Sequence, residues 1–152
     1  MKKEVMLNIR ARQQFIGCEE DGMELITGGK LYVRGGKVYV TYEESELTGL
    51  AGARTTLRLD GQRVTMLRSG TAATQMEFCQ GERHVGLYPT PGGPLTVATY
   101  TERVDNRIGA DGGTLRIDYA IEIEHSVAGR NRFEVTVQAI NQHDEVSEYE
   151  QH

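Results

Sequence analysis

Glu44 and Arg68 are charged residues at positions where an alternating strand pattern calls for apolar side chains. Along 38–44 the inward set reads Val38, Val40, Tyr42 and Glu44; along 64–68 it reads Val64, Met66 and Arg68. Thr55 points inward on the strand between them. An arginine grips a carboxylate or phosphate through two parallel N–H donors. Small-molecule sites are mostly apolar walls with a few placed polar groups. Arg68, with Glu44, Tyr42 and Thr55 around it, is therefore the expected anchor for a small acidic or amphipathic molecule. The plainer reading is a Glu44–Arg68 ion pair that closes one end of the fold and needs no ligand. Both readings place the two residues on parallel-running strands two apart, about 10 Å from each other.

No other constellation has a reactive spacing. His84, His125, His143 and His152 form no zinc pattern and are expected at the surface, His84 on the wet side of its strand. Gly28-Gly29-Lys30 lacks the upstream glycine of a phosphate loop, since Glu24 stands there, and it is read in a strand rather than before a helix. Glu43 and Glu44 point to opposite faces, so they are no carboxylate pair for acid–base work. There is no G-x-S-x-G elbow. Cys18 and Cys79 are far apart, in neither metal nor redox spacing, and are expected to be reduced. No catalytic residue, metal ligand or cofactor is assigned. An enzyme using Glu44, Arg68 and Tyr42 is the weakest of three readings.

Composition bounds the partners. The net charge is −5 and the basic residues are scattered among acids, which argues against nucleic acid. Met1-Lys2-Lys3 resembles a basic signal start, but Asn8, Arg10 and Arg12 break the apolar run that would have to follow. No span of about 20 apolar residues exists for a membrane helix. A cytoplasmic location without membrane contact is expected, and a homodimer through an open edge or outer face is a further expectation.

The elements that position Arg68 follow from one pattern. In Thr114–Glu124, Leu115, Ile117, Tyr119, Ile121 and Ile123 alternate with Thr, Arg, Asp, Ala and Glu, so one strand face is dry and the other wet. The same alternation predicts ten strands, near 4–15, 23–33, 37–46, 53–60, 63–69, 74–80, 83–88, 95–104, 113–124 and 131–140. A short helical turn fits within 16–24 or 46–52. Gly35-Gly36, Asp60-Gly61 and Gly81-Glu82 read as hairpin centres. They pair Val33 with Val38, Leu57 with Val64, Thr55 with Met66, Phe78 with Val85 and Met76 with Leu87, apolar with apolar in all but the Thr55 case. Thr99 and Thr101 also read inward. Ten antiparallel strands with one wet face must close or split into two sheets. Short connections favour an all-β, mostly up-and-down barrel over a sandwich. Residues 1–141 are read as one barrel domain and the acidic 142–152 as a polar C-terminal tail. The loop Pro89-Thr90-Pro91-Gly92-Gly93-Pro94 falls at the same barrel end as Glu44 and Arg68.

Several motifs in this order resemble the YwiB-like family of small bacterial proteins: VYVTYEE at 38–44, TTLRLD at 55–60, VTMLRSG at 64–70, YPTPGG at 88–93 and GGTLRIDYAIEI at 112–123. The resemblance covers about residues 5–140 and implies a calycin-type barrel, related in shape to lipocalins. It implies no catalytic or binding residue. The chain has no Trp, so it lacks the Gly-x-Trp motif of true lipocalins.

Overall fold

The computed structural model describes residues 2–44, 52–70, 74–88 and 90–140. Ten strands follow one another: β1 (Lys3–Phe15), β2 (Asp21–Arg34), β3 (Lys37–Glu43), β4 (Arg54–Asp60), β5 (Arg63–Ser69), β6 (Thr74–Cys79), β7 (Arg83–Tyr88), β8 (Leu95–Asn106), β9 (Gly112–Ile123) and β10 (Ser126–Ala139). They form one antiparallel sheet ordered β6-β5-β4-β3-β2-β1-β10-β9-β8-β7. The first and last strands pair over Val5–Phe15 and Gly129–Ala139, which curls the sheet into a nearly closed barrel. The all-β, up-and-down barrel expected from the sequence is what forms, and it is consistent with a calycin-type shape. No helix occurs among the described residues; the 16–18 stretch is a turn, 21–24 lies in β2, and 45–51 and the tail from 141 lie outside the description.

The alternation has the predicted consequence. Val5, Leu7 and Ile9 of β1, Leu31 of β2, Val40 of β3, Leu57 and Leu59 of β4, Phe78 of β6, Leu115 and Ile117 of β9 and Val135 of β10 are buried in one cluster. Burying such side chains is worth roughly 1.5–3 kcal/mol each, so this apolar cluster is a large part of what holds the barrel together.

Four local readings are corrected. Gly35 and Gly36 both take positive φ, and Val33 faces Val38 as expected. The next turn centres on Gly61-Gln62 instead, so Leu57 faces Met66, Leu59 faces Val64 and Thr55 faces Arg68. A two-residue slip preserves every face, which is why hydrophobicity alone could not detect it. The third hairpin does not pair at all. β6 and β7 are the two edges of the sheet, and Val85 and Leu87 are exposed rather than opposite Phe78 and Met76. The chain at this turn is handed to β8 instead: Gly81 N–H donates to Thr101 O at 2.8 Å, and Thr101 N–H to Glu82 O at 3.0 Å. His84 is consequently half-buried opposite the buried Thr99, not on a wet face, with Nδ1 3.6 Å from Glu77 Oε2 on β6. β10 also begins earlier than expected. Glu124 and His125 make a tight turn at positive φ without glycine, and a bulge at Val127/Gly129 hides the alternation.

Candidate functional site

The polar layer lies on the inward face near the ends of β3, β4, β5 and β6. Register places Tyr42 opposite Thr55, Thr55 opposite Arg68, and Arg68 opposite Thr74. Glu44 extends β3 by one inward position, held by its N–H bond to Ala53 O at 2.9 Å. Thr55 and Tyr42 are buried, and the Glu44 side chain is only 3% exposed. The Arg68 side chain keeps 20% exposure. All four residues predicted from the sequence therefore meet in one cluster. Thr74 joins them; its signal was present in the β5–β6 register but not in its residue type. Thr99 and Thr101 are buried, as their alternation implied.

The contacts around Arg68 are loose. Its Nε donates to Thr55 Oγ1 at 3.3 Å and one Nη approaches Met66 Sδ at 3.7 Å. Arg68 Nη2 lies 3.8 Å from Glu44 Oε2, beyond hydrogen-bond distance. This is not the two-pronged Arg–carboxylate geometry that saturates a guanidinium. Burial raises the Glu44 pKa; the Arg68 charge and hydrogen bonds with Tyr42 and Thr55 oppose that rise without cancelling it. Burial likewise pushes the Tyr42 phenol up, helped by the neighbouring Glu44 charge. The layer thus holds a cation whose own acidic neighbour resists ionising.

Around this layer the surface is largely self-paired. Arg54 bonds Glu43 at 2.8 Å and Arg10 bonds Glu24 at 2.9 Å. Asp118 accepts from Arg116 and Arg132, each at 3.0 Å, which hold its carboxyl below the usual range against the opposing effect of burial. A cleft of about 400 Å³ beside Gly28, Gly29, Lys30 and Tyr42 sits outside, on strand rather than at a helix start. Cys18 is exposed, Cys79 half-buried, and both are free. Among the described residues no group of three or more His, Cys, Asp or Glu could hold a metal ion, and no helix is long and apolar enough to cross a membrane. The loop after β7 closes on itself through Thr90 and Gly93, which exchange backbone hydrogen bonds of 2.9 and 3.2 Å.

An up-and-down β-barrel with an apolar core and a charge-bearing polar layer at the ends of β3 to β6 is the class these features define. The chain belongs to the family described as a domain of unknown function, DUF1934, whose pattern matches residues 7–135. It is 25% identical over 127 residues to the beta-barrel protein YwiB of Bacillus subtilis strain 168, covering 81% of this chain and 86% of that protein. The crystal structure of the ywiB protein from Bacillus subtilis superposes with a TM-score of 0.79 at 20% identity, over 92% of this chain and 94% of that one. At that identity the likeness establishes the shared fold alone.

Proposed function

We propose that the protein is a binding barrel for a small acidic or amphipathic molecule, anchored by Arg68 with Tyr42, Thr55 and Glu44 around it. The observation that carries this reading is the loosely held guanidinium: among the described residues Arg68 donates to Thr55 Oγ1 at 3.3 Å and to Met66 Sδ at 3.7 Å, and stands 3.8 Å from Glu44, whose pKa burial raises. A carboxylate or phosphate arriving at the exposed part of Arg68 gains two charge-assisted hydrogen bonds. Burial keeps the Tyr42 hydroxyl protonated, and an arriving anion would compete with Glu44 for its hydrogen bond. An apolar tail would lie against Met66 and Met76, whose flexible thioethers adapt to irregular shapes. The compartment consistent with this reading is the cytoplasm.

The test is thermal unfolding of wild type and Arg68→Ala in the presence of octanoate, decanoate, citrate and inorganic phosphate. At least one anion is expected to raise the wild-type melting temperature, since a ligand that binds only the folded state stabilises it by mass action. The shift should vanish in Arg68→Ala. Equal shifts in both proteins, or none in wild type, would remove the reading.

One observation favours a second reading, a protein-interaction module with a filled barrel. Val85 and Leu87 are 58% and 71% exposed on β7, an edge strand paired only to β8. Apolar side chains on an unpaired edge are what strand addition by a partner or a second copy uses. Native mass spectrometry separates the two readings, because retained small molecules and a doubled mass appear in the same spectrum.

A further inference from the structure

The net charge of −5 and the spread of basic residues along the chain argue against a polyanionic partner only while the fold is ignored. Folding sorts the cations. Of the 17 lysines and arginines, all but Lys2, Lys30, Arg34, Lys37 and Arg58 lie beside a carboxylate among the described residues. Those five meet in one place, on the outward face of β2, β3 and β4 around Tyr32 and Tyr39.

Register sets Tyr32 opposite Tyr39, Tyr39 opposite Arg58, and Arg34 opposite Lys37 across the Gly35-Gly36 turn. Like charges directly opposite on paired strands are destabilising, so the Arg34–Lys37 pair has a standing need for an anion. Lys2 Nζ lies 5.1 Å from the centre of the Tyr32 ring, and the Arg34 guanidinium carbon 6.0 Å from it. The acids at the margin, Glu4 opposite Lys30 and Asp60 opposite Arg63, form no ion pair with these five cations. Glu43 is taken by Arg54 at 2.8 Å. The face therefore carries net positive charge on a protein that is negative as a whole.

The two tyrosines add a second chemistry. Their rings stack with centres 4.9 Å apart and planes 1° from parallel. Among the described residues no cation and no second ring sits on Tyr39. Its neighbour Arg58 turns instead to β5, donating to Thr65 Oγ1 at 3.3 Å. We propose that this outward face of β2, β3 and β4 binds single-stranded nucleic acid, with the five cations on the phosphates and Tyr39 stacked on a base. Cations beside aromatic side chains on an open sheet face are what such strands use, largely without regard to sequence. An acidic peptide would need the cations alone. The surface is independent of the acidic-ligand reading, because Arg68 and Glu44 face the barrel interior.

Fluorescence anisotropy of the full chain with labelled oligothymidylate and oligouridylate of about 12 nucleotides tests this. Binding is expected at low salt, and its affinity should fall as salt rises, with a log–log slope of roughly −0.7 for each phosphate held. Lys30→Gln/Arg34→Gln should weaken binding about tenfold or more and flatten that slope. Tyr39→Ala should weaken it about fivefold or more and leave the slope unchanged, the mark of a lost stack rather than a lost charge. Arg10→Gln removes a cation already held by Glu24 at 2.9 Å and should bind like wild type. Melting curves of each variant confirm that it folds. The proposal fails if neither oligonucleotide binds, if the double variant or Tyr39→Ala binds like wild type, or if Arg10→Gln loses as much as the double variant. It fails equally if a polyglutamate peptide of the same charge or phosphatidylserine vesicles bind as tightly as the oligonucleotides.

Discussion

Glu44 carries its carboxyl group in a place that disfavours charge, and that has a measurable sign. Burial lifts its folded-state pKa above the ordinary carboxylate value. Between the unfolded and the folded pKa the native protein binds more protons than the unfolded chain, so this group's contribution to stability falls as pH rises through that window. Glu44→Gln cannot ionise and escapes the loss. Its stability relative to wild type should therefore improve from pH 4 toward neutrality, as followed by urea denaturation across that range. A constant or reversed difference would mean that Arg68 compensates the charge fully. The four residues of this cluster were legible in the sequence because each is a polar interruption of an apolar face. The looseness of the Arg68–Glu44 contact was not, since distance between side chains on strands two apart depends on the bend and twist that the whole barrel imposes.

At the scale of the strand, two adjacent glycines of β2 separate structural need from open space. A Cβ on Gly29 would lie 2.6 Å from Thr41 O and 2.8 Å from Leu7 Cδ1, where β2 passes from pairing with β1 alone to pairing with β3 as well. A Cβ on Gly28 would meet only Val5 O, at 3.9 Å. Gly29→Ala is expected to cost about 2 kcal/mol or more, because backbone must shift, and Gly28→Ala to change stability by less than about 0.5 kcal/mol. Chemical denaturation of the two variants checks the contrast; equal effects would show that β2 yields freely there. In the sequence alternation puts Gly29 on the dry face and Gly28 on the wet one, but the close approach at Gly29 is not legible there. The strands themselves were legible almost to their ends, but their pairing was less so. The β4–β5 slip by two residues and the absent β6–β7 ladder both leave the hydrophobic pattern unchanged, so the pattern could not report them.

For the whole molecule, the question is how an up-and-down barrel closes when its two edge strands do not pair. The answer lies partly in side-chain amides. Gln62 Oε1 accepts from Asn106 N–H at 2.8 Å and Gln62 Nε2 donates to Asn106 O at 3.0 Å, so one side chain bonds the edge of β8 as a neighbouring strand would. Asn106 Nδ2 returns a bond to Gly61 O at 2.7 Å. Gln62→Ala is expected to cost about 1–2 kcal/mol, as two exposed hydrogen bonds are lost. It should speed amide exchange at Asn106 while leaving the β1–β10 ladder protected. Unchanged exchange at Asn106 would place the closure elsewhere. The amino-acid sequence by itself determined the strands, their wet and dry faces and the polar residues that break the dry face, because those depend on periodicity two along one chain. Only the tertiary structure decided which strands are edges and that β7 exposes Val85 and Leu87. Those outcomes depend on register and closure, which are set by bonds between residues far apart in sequence and leave no trace in local alternation.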